Sequence, residues 1–410
     1  MDRHAQSTMM PGDFAGPRTA LYSPEFAADP PSHYREMRHR YGSLAPVELA
    51  PGIPATLVIG YHAALRIFND PEHFPADPRN WQRTVPADCP VLPMLEYRPN
   101  PIRSAGSEHV RYRSAVADAL GGVDMHRLHA TVEELAVPLI NSFCETGYCD
   151  VLSQYAQPLV FASLSAMLGV PPEIGQRASE GMALIFGMDD AAAGNAMLAD
   201  ALLELVHRKR AAPGDDVTSR LVQHEAGLDD EEMMQQLVLL YGAGLEPPQD
   251  LIVNTLLLML TDDRFAATVL DGSLSTRDAL DDVLFNDPPM ANFCISYPRQ
   301  PILVDRTWLP AHQPVVISMA ACNNDPAIRR GEIIDNRSHL AFGLGPHACP
   351  AQSPAMLIVQ DAIDQLLDAL PELALGVPQP ELQWRPDPFY RALVSLPVEF
   401  PPSPPIGGFG

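Results

Sequence analysis

Lysine is almost missing. Lys209 is the single lysine among 410 residues, and the other 26 cations are arginines. Against 51 acidic side chains this leaves a formal net charge of −24. Such a surface excludes nucleic-acid binding by bulk charge, because phosphate neutralisation needs a basic face. Long apolar runs are missing too. The longest, Leu251–Leu260, is about half of the ~20 residues a membrane span needs, and Asn254 and Thr255 interrupt it. Met1–Pro24 lacks the apolar stretch of a secretory signal. The chain therefore reads as a soluble, cytoplasmic protein with no membrane and no nucleic-acid partner. Its six cysteines, at 89, 144, 149, 294, 322 and 349, include no C-x-x-C pair. In a chain of this length they read as thiols and small buried hydrophobes rather than as a disulfide framework.

Proline, by contrast, is abundant: 43 residues, roughly twice average usage. The apolar share of 46% is ordinary, which excludes a disordered proline-rich chain. Helical periodicity dominates, with helices expected over Pro31–Tyr41, Tyr61–Asn69, His109–Leu120, Met125–Cys144, Val151–Leu168, Gln176–Phe186 and Ala191–Arg210. A long helix opens on the acidic turn Asp229–Glu232, as the helix dipole favours, and runs to Leu260. The run Gly242–Pro248 predicts a break inside it, because Pro247 and Pro248 lack amides and clash with the preceding turn. Strand-like runs are short: Ala55–Ile59, Ile302–Val304, Val315–Ser318 and Leu393–Phe400, with a further helix near Ser353–Leu370. The expected architecture is mainly α with small β-sheets (α+β), as one domain over 1–400. A Pro/Gly-rich tail over 401–410 is expected to be disordered.

The informative stretch is His339–Met356, which contains F-G-L-G-P-H-A-C from Phe342 to Cys349. A glycine-bearing loop leads to one cysteine, and a helix begins just after it. Helix N-terminal amides and the positive end of the dipole favour a thiolate. Gly343 and Gly345 let the backbone approach a flat partner closely. Phe342, Gly343, Gly345, His347 and Cys349 together resemble the heme-binding loop of the cytochrome P450 superfamily, in its bacterial soluble form.

That resemblance implies the P450 fold, with heme b as cofactor and Cys349 as the axial thiolate ligand of its iron. It implies that His347 reaches a heme propionate. It also matches His109 and Arg113 to the family's H-x-x-x-R pair, which would hold the propionates from one helix face. Arg208–Val222, Asn323–Pro326 and Leu393–Phe400 resemble further family segments, so the likeness spans nearly the whole chain.

The departures fall on chemical positions. Ala243, Gly244, Leu245, Glu246 and Pro247 stand where the family carries A-G-x-[ED]-T over the heme. The threonine that orders water and helps deliver protons is Pro247, and Glu246 is left as the relay. Asp282 and Phe285 replace the family's E-x-x-R pair, so a buried ion pair is expected to be gone. The strand arginine after the D-P-P turn has no clear match, with Ile295 and Ser296 nearby and Arg299 close by. Pro350 follows the ligand and has no amide for the sulfur, while Ala351 places a methyl where the family has glycine.

The resemblance implies an oxidoreductase, a cytochrome P450 monooxygenase acting on a small organic, secondary-metabolite-like substrate. Dioxygen and two electrons, delivered by a ferredoxin and its ferredoxin reductase, would drive it. Substrate contacts are expected from Ala243–Pro248, Thr84–Met94 and Pro289–Phe293. An acidic ferredoxin would need a basic docking patch, for which Arg111, Arg329 and Arg330 are candidates. The alternative is a heme-binding P450-fold protein with other chemistry, peroxide-dependent or isomerising, or with a sensor or recruitment role.

Overall fold

Three-and-four spacing of apolar residues, punctuated by glycine and proline, places most helices. The computed structural model describes residues 17–187, 191–266, 274–328 and 337–407. Its longer helices are Pro30–Tyr41, Tyr61–Phe68, Gly106–Gly121, Met125–Asn141, Gln157–Leu168, Pro172–Gly187, Ala191–Ala211, Asp230–Thr261, Thr276–Asn286 and Gln352–Ala369. The expected Val151–Leu168 helix is divided. A π turn, Leu152–Ala156, precedes the α-helical part. Pro158 has no amide for the carbonyl one turn back, and the wider turn accommodates it.

Asp230–Thr261 is the central helix. It starts on a capping box, with the Asp229 side chain accepting from the Glu232 amide and the Glu232 side chain accepting from the Asp229 amide. It packs on helices 157–168, 191–211, 276–286 and 352–369. The expected break at Gly242–Pro248 does not occur, because helix continues through Pro247 and Pro248. The two prolines still deprive the Ala243 and Gly244 carbonyls of their partners one turn on. Packing against neighbouring helices on both sides of the proline pair sustains what local propensity opposes.

The β structure is small and peripheral. A five-stranded sheet has the spatial order Thr19–Ala20, Leu44–Ala50, Ile53–Val58, Val315–Ser318, Asn292–Ser296. Its first hairpin is antiparallel, and Ile53–Val58 then pairs parallel with Val315–Ser318. A second sheet joins Tyr148–Asp150, Pro397–Glu399 and Ala374–Leu375. The expected strand Leu393–Phe400 shortens to 397–399, with Leu393 bridging to Trp384. The architecture is mainly α with small sheets, as read from the sequence. Residues 401–407 differ from the expected disorder: the Ser403 amide donates to Cys144 O and the Ile406 amide to Asn141 Oδ1. Those buried-edge carbonyls and amides need partners, and the tail supplies them. No helix among the described residues is long and apolar enough to cross a membrane.

Beneath the Cys349 loop, the lost E-x-x-R pair is replaced rather than simply deleted. Phe285 meets His339 edge-to-face at 5.8 Å. Asp282 pairs with Arg264 at 3.2 Å. The neighbouring Asp281, buried, pairs with Arg277 at 3.2 Å and Arg337 at 2.9 Å. An ion pair therefore persists one position earlier than the sequence comparison placed it. Buried Asn323 bridges two segments: its amide donates to Leu284 O at 3.1 Å, and its oxygen accepts from the Leu340 amide at 2.8 Å. Residues 329–336, between Asn323 and Phe342, lie outside the described residues.

Asn323→Ala leaves two buried main-chain groups unpaired, and unfolding in denaturant is expected to show a loss of about 2 kcal/mol. A loss below about 0.5 kcal/mol would mean that water replaces the bridge.

Candidate active site

Cys349 is fixed by its own loop. The Cys349 amide donates to Phe342 O at 2.8 Å, Gly343 N to Leu340 O at 2.7 Å and Ala348 N to Gly345 O at 3.1 Å. Gly343 and Gly345 have φ of +67° and +72°. A Cβ on Gly345 would lie 2.5 Å from the Phe68 carbonyl oxygen, so the loop sits directly on the end of helix 61–68. Phe342 anchors the loop in the main core, and Ala351 packs against the cluster that contains Tyr112 and Leu240. Ala351 is also the N-terminal cap of helix 352–369.

Cys349 is exposed, yet protein surrounds it closely enough for desolvation to raise its thiol pKa. The Ala351 amide and the Arg113 charge oppose the rise. Pro350 has no amide for the sulfur, as the sequence shows, and the amide that acts on the thiol is that of Ala351.

Three basic side chains converge on the same place. His109 and Arg113 lie one turn apart on helix 106–121 and share a face. The His109 and His347 rings are 4.1 Å apart. His109 is held by the Pro346 carbonyl and His347 by the Pro101 carbonyl. Burial lowers the pKa of His109 and pushes that of His347 down to about 4. The Nε2 of His109 is buried with no partner. Among the described residues, none of His109, Arg113 and His347 pairs with a carboxylate. A buried polar atom without a partner is rare and costly, so this set fits a flat anionic group brought in from outside the chain.

Helix 106–121 is held in register by its other face. Arg111 grips Glu232 with contacts of 2.5 and 2.8 Å, and Tyr112 Oη donates to the same carboxylate at 2.9 Å. Arg111 chiefly, with the Asp229 amide and Tyr112, holds the Glu232 carboxyl down at about 2 despite its burial. Arg111 is thus committed within the fold, and Arg329 and Arg330 lie outside the described residues.

On the central helix, Gly242 and Ala243 are exposed while Tyr241 and Pro248 are buried. Gly244 serves packing: a Cβ there would sit 3.0 Å from Leu164 Cδ2. Pro247 is half-buried within the continuous helix. Glu246 is ion-paired with Arg385, whose guanidinium also lies 3.9 Å from Asp387. One turn on, Asp250 is 2% exposed and its Oδ2 has no partner. Burial raises both carboxyl pKa values, that of Asp250 well above its ordinary 3.8, and Glu246 and Asp387 add to the effect on Asp250 against Arg385. Sequence reasoning missed Asp250 and Arg385. The i, i+4 spacing of Glu246 and Asp250 was a usable signal for the first; nothing local marks Arg385.

Residues of two of the segments expected at the substrate pack on the same core cluster. Val85, Leu92, Met290 and Phe293 pack on one cluster with Phe389 and Tyr390. A separate cleft of about 360 Å³, lined by residues including Tyr34, Arg38, Asp287 and Arg391, includes none of the Cys349 group.

No family model matches the chain. Among curated proteins it is similar to the cytochrome P450 monooxygenase PikC of Streptomyces venezuelae, 30% identical over 400 residues that cover 92% of each protein. It is similar to the polyketide biosynthesis cytochrome P450 PksS of Bacillus subtilis, 27% identical over 71% of this chain and 75% of that one. Among solved structures, CYP154C4 from Streptomyces sp. W2061 superposes with a TM-score of 0.84 at 28% identity, covering 96% of this chain and 100% of that chain.

An Asp250 carboxyl with a raised pKa keeps its proton in the folded protein while the unfolded chain has lost it, so stability falls as pH rises above the ordinary 3.8. Asp250→Asn is therefore expected to raise the Tm near neutral pH, with the gain vanishing as pH falls toward that value. Thermal unfolding across this range checks it, and a variant that melts lower than wild type near neutrality would show an ionised, stabilising carboxylate.

Proposed function

The chain belongs to the cytochrome P450 family, and we propose that it is a heme-thiolate monooxygenase in which Cys349 is the protein ligand to the iron. Heme iron under cysteine-thiolate ligation is the cofactor of this family. When bound, the heme supplies the redox and oxygen chemistry that the side chains cannot.

The observation that carries the reading is one thiol, on a constrained loop before a helix, beside buried His109 and half-buried Arg113 and His347, none of which pairs with a carboxylate among the described residues. In this reading Cys349 Sγ holds the iron and accepts from the Ala351 amide. His109 Nε2, Arg113 and His347 bind the propionates, and that charge would lift the histidines out of their neutral state. Phe342, Gly343 and Ala351 shape the proximal wall, while Ala243 and Gly244 belong to the helix that closes the opposite side.

Proton supply is assigned to carboxyls. Burial raises the pKa of the Asp250 carboxyl, which favours its protonated form, and Glu246, one turn away, is ion-paired with Arg385. Pro247 contributes no hydroxyl, so Glu246 and Asp250 stand in for the missing threonine. Small-molecule substrates and redox partners are general to the relatives. For this chain we propose an apolar, polyketide-like metabolite, seated on Met290, Phe293, Phe389 and Tyr390, and electrons from a ferredoxin and its reductase. The proline at the threonine position favours one second reading, in which peroxide serves as the oxidant.

Turnover of a bound metabolite with reductase, ferredoxin and isotopically labelled dioxygen tests the reading. Label in the product is expected; product formed only with added peroxide would favour the second reading. Pro247→Thr is expected to raise the fraction of electrons ending in product about two- to tenfold. Unchanged coupling would show that the carboxyls already suffice.

A further inference from the structure

Arg103, in the loop before helix 106–121, is a buried cation without a counterion. It is 4% exposed. Its hydrogen bonds go to neutral main-chain oxygens, Met94 O at 2.6 and 3.2 Å and Ile102 O at 3.2 Å. Its guanidinium lies 5.3 Å from the centre of the Phe293 ring. Among the described residues no carboxylate pairs with it. An isolated buried charge is among the most costly features a fold can carry, so a guanidinium kept this way implies an anion in the working protein.

The place of that anion is marked by a cavity of about 90 Å³ lined by Arg103, Ser296, Cys294, Phe293, Leu344 and His347, among others. Leu344 and His347 belong to the Cys349 loop, so the cavity borders the site described above. Ser296 is the second observation. Its hydroxyl is buried and has no partner among the described residues. Ser296 ends the strand near which the family's arginine has no clear match in this chain. A cation from one element and an orphan hydroxyl from another thus face one small space beside His347. Their chemistry suits a carboxylate, which accepts from both a guanidinium and a hydroxyl.

We propose that Arg103, assisted by the Ser296 hydroxyl, binds one propionate carboxylate of the heme, supplying from the loop the cation that this chain's strand lacks. The inference rests on the heme site proposed around Cys349. It makes Arg103 a cofactor-binding residue that no motif on the chain announces.

Charge and hydrogen bonding are separable at this position. Arg103→Lys keeps the charge, whereas Arg103→Gln keeps an amide donor toward Met94 O and removes the charge. Transfer of heme from each purified holoprotein to excess apomyoglobin is expected to rank wild type slowest, Lys intermediate and Gln fastest, with Gln about tenfold or more above wild type. The reduction potential is expected to be lower in the Gln variant than in the Lys variant, because a nearby positive charge favours the added electron. Where a variant does not retain heme through purification, heme content read in the same order takes the place of the rate. Wild-type rates in both variants, or a Lys variant that loses heme as fast as the Gln variant, would overturn the role of Arg103. Wild-type protein that holds no heme would instead overturn the underlying site.

Discussion

The hydrogen bond from the Cys349 amide to Phe342 O closes the loop on which everything else depends. It works with two glycines in the left-handed region and with the contact of Gly345 against the Phe68 carbonyl. Together these leave the cysteine one position, at the mouth of helix 352–369 and beside the basic face of helix 106–121. Rigid presentation of this kind is what a metal ligand needs, because a ligand that must be ordered on binding weakens the site. The supports of the loop are layered in turn. Asn323 ties Leu340 to helix 276–286, and Phe285 packs on His339. The helix with the histidine–arginine pair is locked to the central helix through Arg111 and Glu232.

The parts legible in the sequence were those written in local signals. Apolar periodicity and proline or glycine stops set the helices, and the F-G-x-G-x-H-x-C run marked the cysteine loop. The H-x-x-x-R pair was equally local, since four residues make one helical turn. The misreadings arose where tertiary context decides. Two adjacent prolines argue for a broken helix, but packing along Asp230–Thr261 keeps it whole. The loss of E-x-x-R argued for a missing ion pair, yet Asp281 and Arg337 are 56 positions apart and no sequence period could join them. Arg385 and Glu246, separated by 139 positions, are the same case.

The shortage of lysine takes on meaning in this light. Arginines anchor the architecture at Arg111, Arg337, Arg385 and Arg391, each in an ion pair with an aspartate or glutamate. A planar guanidinium makes the forked contacts these places require, and an ammonium does not. With so acidic a composition, the ferredoxin proposed as electron donor would have to find its cations locally. Pro247 and Pro350 stand at positions that are chemical in the proposed function, which gives their work to neighbours: Asp250 and Glu246 on the central helix, the Ala351 amide at the sulfur.

The central claim is that Cys349, held by its loop, ligates heme iron as a thiolate. The most direct measurement is the absorption spectrum of the reduced protein under carbon monoxide. The account predicts the strongly red-shifted Soret band of thiolate ligation in the wild type, and its loss in Cys349→His with heme still bound. A blue-shifted band in the folded wild type, or a red-shifted band that survives in the variant, would contradict it.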